Sequence, residues 1–165
     1  MKKIFKNILR SLGVIVLIGG VIISIEYFGK QPMGLFAGSR PPDLGFNQGK
    51  FKPPSWKPNT VSSTVATDDS HYIAPIAIAG DARQAWGKLT KIAKSAPRTN
   101  IIAERVDYLY VESKSAGLGF IDDVEFQLDA NANVIHVRSA SRLGVRDFDV
   151  NRKRIEHIRA LFAAN

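Results

Sequence analysis

Residues 138–154, RSASRLGVRDFDVNRKR, place six basic side chains and two aspartates in seventeen positions, leading into what reads as the last helix. Forked guanidinium groups and the free amides of a helix N-terminus suit a phosphate or a carboxylate. Arg142, Arg146 and Arg152, with Asn151 at the helix start, are therefore the candidate anion-binding residues. The competing reading pairs the bases internally with Asp122, Asp123, Glu125, Asp147 and Asp149, five acids that nearly balance them. Catalysis has thinner support. Neighbouring residues of a strand point to opposite faces, so the Asp122 and Asp123 carboxyls cannot act together on one bond. Ser62 or Ser63 with His71 and Asp68 supplies the ingredients of a hydrolytic triad, but no nucleophile elbow surrounds the serines. His71, His136 and His157 show no metal-ligand spacing, so no metal site is expected. The absence of cysteine excludes disulfides, thiolate catalysis and Cys-ligated metal centres. Gly117 and Gly119 belong to a hairpin turn rather than a phosphate loop, and no cofactor is expected.

These side chains need elements to carry them. Asp81, with Gln84 three residues later, opens like a capping box, and Ala82, Ala85, Trp86, Leu89, Ile92, Ala93 and Ala96 then share one apolar arc. The spacing predicts a helix over 82–95. The preceding YIAPIAIAG suits an edge strand, since Pro75 has no amide to donate. Four strand-like stretches follow (NIIAERV, YLYVESKS, GFIDDVEFQLD, NVIHVRSAS), and apolar alternation fixes their registers. Val111 should face Val124, Leu109 Phe126, Phe126 Val137 and Leu128 Ile135. Glu125 should face Arg138 on the opposite face as a cross-strand ion pair. One blemish remains in this meander, because the same register sets Glu112 opposite Asp123. The register also puts Asp122 on the apolar face between Ser113 and Ser141. A last helix over 151–164, capped by Asn151, turns Arg154 toward the sheet. Ser113, Asp122, Ser141 and Arg154 should thus form a polar cluster at one end of the core, since a lone buried charge costs several kcal/mol.

Upstream, residues 32–58 hold six of the eight prolines together with Gly34, Gly38, Gly45 and Gly49, which excludes regular structure. Leu35, Phe36, Leu44, Phe46, Phe51 and Trp56 make this stretch as well suited to an arm laid over a surface as to a loose tether. Before it, Lys2, Lys3, Lys6 and Arg10 precede an uncharged run from Ser11 to Ile25, with Tyr27 and Phe28 at its edge. Residues 11–28 approach the lower limit for spanning a hydrocarbon core of about 30 Å. With no clean cleavage pattern, an uncleaved single-pass signal anchor in the inner membrane is favoured over a signal peptide. Its basic flank stays cytoplasmic, which puts the C-terminal part in the periplasm. Three segments result: anchor 1–30, arm 31–70 and globular domain 71–165. Of the net charge of +8, half belongs to residues 1–30, and the remaining +4 is weak support for nucleic-acid binding.

PNTVSS (58–63), GFIDDVEF (119–126) and VIHVRSASRLGVRDFDVNRKRIE (134–156), with the spacing between them, resemble the domain-of-unknown-function 1499 family of small bacterial and plastid proteins. The likeness covers about residues 33–163. It implies a membrane-anchored or exported domain with no established activity. Asn59, Ser62, Ser63, Asp122, Asp123, Glu125, Arg138, Ser139, Ser141, Arg142, Asn151, Arg152 and Arg154 match its motifs. Family members typically carry cysteines in the segment that reads SWKPNTVSS here, where Ser55 and Thr60 stand.

The expected fold is α+β, an antiparallel sheet of about five strands with two helices packed on one face, behind an N-terminal transmembrane helix. The expected function is a non-enzymatic envelope protein that binds an anionic or amphipathic ligand, such as a lipid, at the polar end of its core. The alternatives are a structural or adaptor domain with an internal Arg/Asp network, and a hydrolase.

Overall fold

A strand pair that must bury one face dictates the register of this protein, and the computed structural model describes that register over residues 36–164. The expected anchor at 11–28 lies outside the described residues. Among the described residues no helix is long and apolar enough to cross a membrane.

The arm supplies a short hairpin, β1 (Phe46–Asn47) with β2 (Lys50–Phe51), and then β3 (Thr60–Ser62). β4 (Ile76–Ala77) and helix α1 (Ala82–Ser95) follow. Asp81 caps α1, its carboxylate accepting the Gln84 amide at 2.7 Å, and Pro97 follows the Ala96 C-cap. The meander is β5 (Thr99–Glu104), β6 (Tyr108–Lys114), β7 (Ile121–Asp129) and β8 (Val134–Ser141), and α2 (Val150–Ala164) ends the chain.

The principal sheet has six antiparallel strands in the order β3-β8-β7-β6-β5, with β4 pairing β8 beside β3. The expected count of about five is one short because β3 lies inside the proline-rich arm. The registers Val111↔Val124, Leu109↔Phe126, Phe126↔Val137, Leu128↔Ile135 and Glu125↔Arg138 all hold. On one face Leu109, Val111, Val124, Phe126, Ile135 and Val137 pack against Trp86, Leu89 and Ala93 of α1 and against Ile155 and Ile158 of α2.

The second face is covered as well. Tyr108 and Tyr110 pack with Phe51 of the arm, flanked by Leu44 and Phe46, while Phe36 stacks on Phe120 at 5.1 Å. A Cβ added to Gly38 would lie 2.9 Å from Arg142 Cβ and Leu143 Cγ, and φ there is +65°, so glycine lets the arm lie against the chain leaving β8. Residues 36–164 thus form one compact unit, with helices on one side of the sheet and the arm on the other.

Candidate functional site

β7 carries Asp122 and Asp123 side by side, and the pleat sends them through opposite faces of the sheet. Each meets its own arginine. On the helix face, Arg154 Nη2 donates to Asp122 Oδ2 at 2.5 Å, while Nη1 donates to Ser139 Oγ at 2.9 Å and Asn151 Oδ1 at 2.7 Å. Ser113 and Ser141 flank Asp122 on the adjacent strands. Ser141 Oγ accepts from Asn151 Nδ2 at 2.9 Å, whereas Ser113 shares no hydrogen bond with the cluster. The four expected residues are together, and Ser139 and Asn151 join them.

Asn151 is neither a cap nor an open ligand group. α2 starts one residue earlier, and Asn151 is fully buried in its first turn. Its Nδ2 donates to Asn59 O at 3.0 Å and to Asp147 Oδ2 at 2.8 Å, besides Ser141. The capping role falls to Asp147, whose Oδ2 accepts the Asn151 amide at 2.9 Å. An asparagine just ahead of a helical pattern reads as a cap, but here the donors and acceptors of three other segments draw it inward.

On the arm face the blemish in the meander becomes the centre of a second network. Glu112 faces Asp123, as the alternation required, and Arg142 lies between them. Its Nε donates to Asp123 Oδ2 at 3.0 Å and its Nη2 to Asp123 Oδ1 at 2.6 Å, with a further contact from Nη2 to Glu112. Arg40 of the arm adds Nε to Glu112 Oε1 at 2.7 Å, and Tyr110 OH donates to Asp123 Oδ1 at 2.5 Å. Burial would push the Glu112 carboxyl up, but the two arginines outweigh it and hold it below the usual range. Burial likewise opposes charge on Arg142, yet Asp123 and Glu112 overcome it and hold the guanidinium above its ordinary value. Two residues further along β7, Glu125 is wholly buried. It accepts from Arg138 Nη1 at 2.9 Å, Tyr108 OH at 2.8 Å and the Gly45 amide at 2.8 Å. Desolvation prevails over those partners and raises its carboxyl pKa.

The expected three-arginine anion site is therefore not formed. The Arg142 side chain is 1% exposed and held by the Asp123 and Glu112 carboxylates through Nε and Nη2, while its buried Nη1 has no hydrogen-bond partner among the described residues. Arg152 spends Nη2 on the carbonyls of Ser70 and Tyr72, at 3.2 and 2.9 Å, and the small cleft beside it also contains Asp147 and Asp149. Arg146 is exposed on the loop after β8, with no ion-pair partner among the described residues. The sequence divides the arginines correctly by face only where both partners lie on periodic elements, as with Arg138 and Glu125 on strands or Arg154 on α2 and Asp122 on β7. Arg142 follows the last strand, and its role depends on an arm with no periodicity.

The triad ingredients do not assemble from Ser62, His71 and Asp68. Instead His71 pairs with Asp69 at 2.7 Å. Ser63 Oγ lies 3.2 Å from His136 Nδ1, an alignment missed in the sequence because 73 residues separate the two. It is not a nucleophile–base pair. Ser63 is buried, its Oγ accepts the Val137 amide at 2.9 Å, and Asp129 is 3.9 Å from the histidine, beyond hydrogen-bond range.

A cavity does open at the polar end of the helix-face core. It measures about 360 Å3 and lies between the C-terminal end of α1, the first turns of α2 and β6. Val111, Val124 and Ile158 form apolar wall, Ser113 lies on it, and Arg98, Lys114 and Arg154 supply positive charge. No carboxylate lines it among the described residues. Such a space accepts an apolar body and rewards a negative headgroup.

No curated protein and no solved structure matches the chain. A family model described as protein of unknown function (DUF1499) matches residues 50–162, which span β2 to α2 and hold both arginine networks except Arg40. The chain belongs to the DUF1499 family.

Proposed function

We propose that the protein is a non-enzymatic envelope protein, tethered to the inner membrane by residues 11–28 with its folded domain in the periplasm. That domain binds an amphipathic anion, an acyl chain with an acidic head, in the cavity between α1 and α2. The cavity itself carries this reading, since apolar walls meet Arg98, Lys114 and Arg154 with no acid among its lining residues. Arg154 is already neutralised by Asp122, so Arg98 and Lys114 at the rim are the charges left to recognise the headgroup.

Titration of the full chain with dodecanoate below its micelle concentration, followed by calorimetry, tests the reading. Saturable 1:1 binding is expected, and it should weaken at least tenfold, about 1.4 kcal/mol, in the double variant Arg98→Glu/Lys114→Glu. The specific support for a structural or adaptor domain is the pairing of buried Arg142 and Arg138 with internal carboxylates. Absence of binding, or equal binding of dodecylamine, would favour that domain instead.

A further inference from the structure

Five large apolar side chains that stay exposed lie at one end of the domain, on two loops held together there and at the start of α2. Leu143, Val145 and Phe148 follow β8, Val150 opens α2 within the same eight residues, and Phe148 is 82% exposed. Trp56, 77% exposed, stands three residues from Asn59, whose Nδ2 donates to the carbonyl of Gly144 in that loop at 3.0 Å. Three residues span at most about 11 Å, so Trp56 remains near the same end.

This exposure is built into the backbone. Phe148 and Asp149 both take left-handed conformations, φ 54° and 63°, unfavourable for a bulky side chain. The Asp147 carboxylate fixes the bend by accepting from the Asp149 amide at 3.2 Å and from both nitrogens of buried Asn151. A strained turn held by a buried residue presents Phe148 to solvent.

We propose that this loop, with Trp56, is a lipid-contacting surface that seats the domain on an anionic bilayer. Charges are interleaved with the apolar side chains: Arg146, Asp147, Asp149, Arg152 and Lys153 fall among or just after them. The core of a protein–protein interface is depleted of charge, whereas a headgroup layer solvates charges at the depth where neighbouring apolar side chains enter the acyl boundary. Three of those five charges are basic and two acidic, a net of +1, so the balance lies on the side of anionic lipid. Tryptophan and basic side chains suit that depth. Val150 also lines the cavity, so docking brings the cavity beside the membrane. The surface stands on its own observations, whether or not the cavity is filled.

The full chain reconstituted into phosphatidylglycerol vesicles with lipids brominated in the acyl chain tests this at Trp56. Trp86 is buried and provides a constant background. The exposed-tryptophan emission should be quenched by the brominated lipid and shielded from aqueous acrylamide. Both effects should fall several-fold in Val145→Ser/Phe148→Ser, with an unchanged far-ultraviolet spectrum. The proposal is overturned if Trp56 stays open to acrylamide without bromolipid quenching. It is equally overturned if the double variant leaves quenching intact but abolishes self-association in sedimentation, which would assign the patch to a second copy of the chain.

Discussion

Replacing Arg142 by Met removes the guanidinium but keeps most of the apolar stem, and so isolates the charge. Asp123 and Glu112 have side chains only 2% and 8% exposed, and they face each other across β6 and β7. Stranding a buried ion-pair partner costs about 3–5 kcal/mol. An independent figure agrees: two carboxylates about 5 Å apart at an effective dielectric near 20 repel by about 3 kcal/mol. Arg40 cannot make up the loss, being half-exposed and bonded only to Glu112. The expected destabilisation is about 4 kcal/mol at neutral pH. Its pH dependence has a definite sign. In the variant one carboxyl of the pair keeps its proton in the folded state, so its folded pKa rises above the unfolded value. Stability from that protonation is present below the unfolded pKa and is lost as pH rises, and the deficit should therefore shrink between pH 7.5 and pH 5. Urea midpoints at both pH values, read by far-ultraviolet circular dichroism with unchanged slopes, measure it. Arg146→Met, at an exposed position, should stay within about 0.5 kcal/mol of wild type. A loss below about 1 kcal/mol for Arg142→Met, or one equal at both pH values, would refute the buried-network account.

Two further outcomes follow from the same geometry. Asp122→Ala and Arg154→Ala should each cost about 2–5 kcal/mol, and because each strands the other, the double variant should lose clearly less than the sum in a double-mutant cycle. Glu112 has its folded pKa held below the unfolded value by Arg142 and Arg40. Its contribution is thus present above the unfolded pKa and lost as pH falls through the folded one. Unfolding titrations from pH 7 to pH 3 should show a shallower loss in Glu112→Gln than in wild type.

What the sequence discloses is whatever recurs with a period. The arc from Ala82 to Ala96 places α1, the alternation from Leu109 to Val137 sets the registers, and from these follow the Glu125–Arg138 pair and the meeting of Asp122 with Arg154. The arm has no period, so its path over the second face was not legible, and with it went β3 and the burial of Arg142. Two signs were present nonetheless. Tyr108 and Tyr110 alternate onto the face opposite the core, larger apolar bodies than a solvated face usually shows. Glu112 opposite Asp123 is a like-charge pair that a stable sheet tolerates only when a cation comes to it. The conflict in the pattern marked the position of the missing arginine.

The arm over the second face also orders events in time. Its attachments run from Arg40 to Glu112, from Gly45 to Glu125 and from the Lys52 carbonyl to Arg138, separations of 72, 80 and 86 residues. During synthesis the arm leaves the ribosome first and has none of these partners until β6, β7 and β8 have emerged and paired. Closing such long loops carries the entropy of distant contacts, which slows the step that needs them. The tyrosines and carboxylates of the second face therefore meet water before they meet Phe51, and the outer layer is the last to be laid down.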